Sequence, residues 1–275
     1  MAIQKYKHPV LFYTMATIIP WTFWFTAAYV SRLSPYTNTN SIIASVLGLL
    51  GLLSPMKMAL ILIHRESGLK ADFYNRFINL KKVKPVYIVL TCFLMLTSIL
   101  LAQAISLLFG YKSAQFAITG HFTFSSGVFP VWALLILAPV IEELAWHSYG
   151  TDCLRNKMNL FRVSLFFAIY WGIWHFPLSF IKDYYQSNLV ETGWIYSLNF
   201  VVSLIPYVLI MNWLYYKTKR NILVAIVFHI TAGYFNEIFA THPDSKLIQT
   251  VLLLLFSVVL LFKEKDLFFN SKYIE

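Results

Sequence analysis

Two adjacent carboxylates stand in an apolar stretch that reads Ala138-Pro139-Val140-Ile141-Glu142-Glu143-Leu144-Ala145-Trp146-His147. Further along, His175 follows the aromatic run Tyr170-Trp171-Gly172-Ile173-Trp174 and precedes Phe176-Pro177. His229 lies in a third apolar stretch, Val227-Phe228-His229-Ile230-Thr231-Ala232-Gly233-Tyr234-Phe235-Asn236-Glu237. Taken singly, each histidine reads as a hydrogen-bonded core residue, and the carboxylates read as a helix end reaching the headgroups. Taken together they suit a site that activates water by general base catalysis, or one that binds a metal through nitrogen and oxygen. On a helix Glu142 and Glu143 point about 100° apart and need different partners. Glu143 and His147, four residues apart, share a face. The three segments offer no serine or cysteine placed as a nucleophile, so water is the expected attacking group.

The elements that must position these residues are membrane spans. Of the 275 residues, 59% are hydrophobic and 12% charged, against about 45–50% and about 25% in an ordinary soluble domain. The apolar residues fall in long blocks without period-two alternation, which predicts helices. The blocks are 10–31, 41–63, 86–108, 129–150, 160–181, 194–216, 221–241 and 246–262. Each approaches the roughly 20 residues that cross a bilayer. The expected fold is therefore an all-α membrane protein of about eight transmembrane helices. It forms a single polytopic domain over 1–275, with 130–240 as the catalytic-motif core. The first block, from Val10 to Val30, is too long for a signal-peptide core and reads as the first span.

Charge predicts the orientation. Seventeen Lys and Arg residues fall before the first block and in every second loop, against four (Arg32, Lys112, Lys182, Lys246) on the other side. This asymmetry predicts both termini in the cytoplasm. It also explains the net charge of +10 without a nucleic-acid partner. Lys57 lies inside the second span and is expected to snorkel. Cys92 and Cys153 are too far apart in sequence to form a framework. After the second span, Leu69, Phe73, Phe77 and Leu80 recur at helical spacing among basic residues. That pattern predicts an amphipathic helix on the cytoplasmic surface. By residue count, Glu142 and His229 should lie ~12–14 Å deep from the cytoplasmic side, and His175 ~20 Å. His175 then matches the others only if its helix is tilted or begins below the membrane surface.

In this order and setting, the three segments resemble the CPBP family of intramembrane metalloproteases. That family includes CAAX proteases and the Abi-type proteins of bacteriocin processing and self-immunity. Its first motif is a Glu-Glu pair followed after three residues by Arg. Glu142 and Glu143 fit, flanked by Ala138-Pro139 and Tyr149, but His147 takes the Arg place. The second motif is an aromatic residue four before a histidine, matched by Trp171 and His175, with tryptophan where phenylalanine is usual. The third is a histidine followed four residues later by Asn; His229 fits, and Gly233 takes the Asn place. Leu47 to Phe77, with Ser54-Pro55 and Gly68-Leu69, looks like the family's second helix and its amphipathic follower.

The resemblance implies an endopeptidase with Glu142, Glu143, His175 and His229 as its catalytic set, in which Glu142 and His175 activate water and His229 stabilises the oxyanion. Gly233 offers no side-chain donor. Asn236 lies ~10 Å along the helix from His229, too far to stand in without distortion. A zinc set of His147, His175 and His229 with Glu142 or Glu143 is chemically reasonable. The expected partners are membrane lipids and a peptide or protein substrate, lipidated or carrying a leader, cut near the cytoplasmic leaflet of the cell inner membrane. The site is expected to open to the cytoplasm. The altered Arg and Asn places suggest an alternative, a non-proteolytic immunity or scaffold protein that binds a peptide or membrane partner in the same cavity. A transporter is disfavoured, because no paired inverted halves appear in the sequence.

Overall fold

The computed structural model describes residues 2–77 and 83–270. Its long elements are helices: α1 (Pro9–Ser31), α2 (Asn38–Arg65), α3 (Leu69–Phe77), α4 (Pro85–Ser106), α5 (Val131–Ala145), α6 (Thr151–Arg155), α7 (Leu160–Trp174), α8 (Tyr185–Thr192), α9 (Trp194–Lys217), α10 (Ile222–Ile238), α11 (Pro243–Lys263) and α12 (Lys265–Phe269). Seven helical stretches among the described residues are long and apolar enough to cross a membrane. α10 is also apolar but has only 17 residues, ~26 Å at 1.5 Å per residue. The outward faces carry large apolar side chains such as Ile18, Phe25, Val89, Phe93, Leu137, Ile173, Leu255 and Val259. Polar groups such as Glu143, His147, Asp152 and Asn212 are buried between the helices. That inside-out distribution is what a lipid solvent demands. The protein is an all-α, multi-pass membrane protein.

The helices form one bundle, with α5 packed between α2 and α10, α7 against α9, and α4 against α10 and α11. Indole hydrogen bonds tie α1 to its neighbours. Trp174 Nε1 donates to the Ala16 carbonyl at 2.8 Å, Trp21 Nε1 to the Trp174 carbonyl at 3.1 Å, and Trp24 Nε1 to the Gly48 carbonyl at 3.0 Å. Gly51 permits this approach, because a Cβ there would stand 2.3 Å from Trp24 Nε1.

The residue following α5 does not end the span. A five-residue π-helical turn, Trp146–Gly150, carries it into α6. Turns of this kind recur at functional sites. Here the turn changes the residue count from which the depth of Glu142 is reckoned. Glu142 lies thirteen residues before Arg155 at the end of α6, and His175 lies thirteen after Arg162. The span therefore ends five residues later than the 129–150 block suggested. At the start of α10, Arg220 is buried at 2% exposure and Asn221 caps Val224 N at 3.1 Å.

α3 is the expected amphipathic helix, with Leu69 and Phe73 buried; Leu80 lies outside the described residues. Its polar face is not simply solvated, because Arg76 also turns inward. Arg76, Arg155 and Arg220 are all buried. Three of the seventeen basic residues are thus internal anchors, leaving a charge asymmetry of fourteen against four.

Candidate active site

The two carboxylates of α5 have separate partners, as their angular offset requires. Glu142 Oε2 accepts from Trp171 Nε1 on α7 at 3.0 Å and from Trp146 Nε1 at 3.4 Å. Its other oxygen accepts no hydrogen bond from the described residues. Glu143 Oε1 accepts from His229 Nδ1 on α10 at 2.8 Å, and Oε2 is paired with His147 Nδ1. The second ring nitrogen of His147 meets Asn212 Oδ1 on α9 at 3.0 Å, and Asn212 donates in turn to Ser164 Oγ at 2.8 Å. Glu143 and His147 are fully buried, while Glu142 keeps 8% exposure. Glu142 therefore meets the cavity and Glu143 works behind it.

His175 caps α7, just before the 3₁₀ turn Phe176–Phe180. Its Nδ1 lies 2.6 Å from the Trp171 carbonyl oxygen. A carbonyl only accepts, so Nδ1 carries the proton and Nε2 presents a lone pair or a second donor. Trp171 thus touches both halves of the site, through its indole to Glu142 and its carbonyl to His175. Its ring also lies 5.2 Å from that of His229. Glu142, Trp171, His175 and His229 all line one cavity of about 710 Å³, within the ~300–1,000 Å³ range of ligand pockets. Asn236 lines it as well, donating to Tyr185 Oη at 3.3 Å.

His147 does not reach this cavity. Both of its nitrogens are engaged, so it offers no free ligand atom to the expected zinc set. Among the described residues, no three His, Cys, Asp or Glu side chains are grouped to hold a metal ion.

The cavity has its mouth at one end of the bundle. Its walls run to residues 123–130, 181–192 and 237–246, at the end opposite residues 2–8 and 264–270. None of the described residues in 64–85, 150–160 or 217–221 contributes to it. Termini in the cytoplasm and a cavity opening to the cytoplasm, both expected from the sequence, are not compatible with one another in this arrangement.

Beneath the site lies a polar hub that the sequence reading missed. Asp152 on α6 is fully buried and accepts from Arg76 at 3.0 Å, Arg220 at 2.7 and 3.1 Å, Tyr215 at 3.0 Å and Tyr216 at 2.9 Å. Arg76 also donates to the carbonyls of His147 at 3.3 Å and Ser148 at 3.1 Å, and is bonded to Tyr215 Oη. The hub grips the π-helical turn that follows the glutamates. Burial works against the Arg220 charge, but Asp152, then Tyr215 and Asp72, raise its pKa well above the usual range. The available sequence signal was Asp152 itself, an acid ten residues beyond Glu142 and close to no basic residue but Arg155.

Residues 124–235 match the family described as type II CAAX prenyl endopeptidase Rce1-like. Over 272 residues, 98% of this chain and 99% of the relative, the chain is 36% identical to a protein named CAAX prenyl protease 2 from Methanococcus maripaludis. With Glu142, His175 and His229 gathered on one cavity and Glu143 behind them, the chain belongs to the CAAX prenyl protease family of membrane endopeptidases.

Proposed function

We propose that the chain hydrolyses a peptide bond within the cytoplasmic membrane, next to a prenylated residue of a CAAX-type substrate, using water activated by Glu142 and His175. One observation carries this reading. The indoles of Trp171 and Trp146 hold one oxygen of Glu142, the Trp171 carbonyl fixes the ring of His175, and each residue keeps one free polar atom on a shared cavity.

The chemistry follows from these positions. A water between Glu142 and His175 gives up a proton to the base as its oxygen attacks the scissile carbonyl carbon. The tetrahedral oxyanion is stabilised by the Nε2–H of His229. Glu143 supports the positive ring this requires, because it already accepts from His229 Nδ1. Collapse breaks the C–N bond, and the proton taken from water passes to the departing amine. The apolar cavity wall, with Trp24, Leu52 and Leu134 among its residues, suits the prenyl chain, and lipids are the other partners.

The test uses purified protein in micelles with a farnesylated peptide ending in a CAAX sequence and the same peptide unprenylated. Release of the C-terminal residues from the prenylated peptide alone, read by mass spectrometry, is expected. Equal cleavage of both would refute the prenyl specificity, and cleavage of neither would refute the reading.

A further inference from the structure

A hydrolytic site of this kind needs donors for the oxyanion, and Gly233 leaves the place four residues after His229 without one. Three cavity-lining residues carry a buried polar atom with no hydrogen-bond partner among the described residues: Gln186 through Oε1, Glu237 through Oε1 and Tyr207 through its hydroxyl. Oxyanion stabilisation requires a donor, and only the Tyr207 hydroxyl can donate. Unpaired buried hydroxyls are uncommon in folded proteins and call for an explanation.

Tyr207 sits on α9, beside the histidine whose task it would share. Its ring centroid lies 5.9 Å from that of His229 and 5.9 Å from that of Trp171, and it stacks on Phe228 at 5.3 Å. The stacking fixes the ring against α10 next to His229. Tyr184 also lines the cavity, and its ring packs on Phe124 at 5.9 Å. We infer that Tyr207 is a catalytic residue that donates its phenolic hydrogen bond to the oxyanion, in the role Gly233 cannot fill. This inference rests on the endopeptidase reading above.

The experiment measures kcat and KM on the farnesylated CAAX peptide, with a melting curve for each purified variant. Tyr207→Phe should lower kcat by about 10²-fold while KM and melting stay close to wild type. A Cβ at position 233 would meet nothing closer than Leu135 at 3.8 Å, so Gly233→Asn has room for its side chain. Gly233→Asn alone should change kcat by less than about threefold, because a donor is already present, yet added to Tyr207→Phe it should recover at least about tenfold. Tyr13→Phe, which removes a buried hydroxyl that lies outside the cavity and has no hydrogen-bond partner among the described residues, should leave kcat near wild type. An unchanged kcat in Tyr207→Phe would overturn the inference. So would a rise of about 10²-fold in Gly233→Asn alone, and that outcome does not depend on how Tyr207→Phe folds. Cleavage that survives in Glu142→Gln, or no cleavage by the wild type, would instead refute the endopeptidase reading, and this inference with it.

Discussion

Asp152 is where removal of one carboxylate should cost most stability without touching the cavity. It accepts from both Arg76 and Arg220, and all three residues are buried. In Asp152→Ala the two guanidinium groups keep Asp72 as their carboxylate partner among the described residues, at 2.8 and 3.0 Å. Breaking a buried ion pair by deleting one partner costs ~3–5 kcal/mol, because a charge is left uncompensated. At ~2–4 °C per kcal/mol for a chain of this size, the melting temperature should fall by ~6–20 °C. Asp152→Asn keeps the shape and one acceptor oxygen, so its loss should be smaller, nearer the ~1.5–3 kcal/mol of a hydrogen bond to a charged group. Cys153 is fully buried next to the hub. In a Cys92→Ala background, a thiol-reactive dye therefore reports its opening during a thermal ramp. If Asp152→Ala melts within ~2 °C of its parent, the hub contributes no net stability and this reasoning is wrong.

Three further outcomes are expected. Glu143→Gln removes the charge that holds both His147 and His229. It should lower kcat on a farnesylated CAAX peptide by about 10²-fold with KM little changed; equal losses in binding would contradict its place behind the cavity. Trp171→Phe leaves Glu142 with Trp146 as its sole indole donor. Losing one hydrogen bond to a charged group, ~1.5 kcal/mol or more, should slow turnover about tenfold, and unaltered turnover would show that the second indole suffices. For orientation, exposed Glu191 lies on the mouth side and exposed Lys265 on the other. In intact cells a membrane-impermeant maleimide should label Glu191→Cys and spare Lys265→Cys if the fourteen-to-four asymmetry sets the topology. The reverse labelling would place the cavity mouth on the cytoplasmic side.

The sequence carried the all-helical membrane architecture, because spans announce themselves by length and composition. It also carried Glu142, Glu143, His175 and His229, because ionisable groups at bilayer depth are too costly to be incidental. The pairing of Glu143 with His147 was legible from their spacing of four. Less legible were features set by helix ends and by packing between distant segments. The π-helical turn after Trp146 extends a span without leaving a composition signal. Arg76 and Arg220 read as ordinary loop cations until Asp152 is brought between them. The cavity gathers walls from three segments distant in sequence, which no periodicity records. Tyr207 is one aromatic residue among many in α9, and what distinguishes it is a hydroxyl with no hydrogen-bond partner among the described residues.

Glu142→Gln bears most directly on water activation by the cavity-facing carboxylate. Gln is nearly isosteric and can still face the indoles of Trp171 and Trp146, but it cannot take a proton from water. Cleavage of a farnesylated CAAX peptide by the purified variant should fall by at least about 10³-fold, with the melting temperature close to wild type. Full activity in a folded Glu142→Gln protein would contradict the proposed role of Glu142 outright.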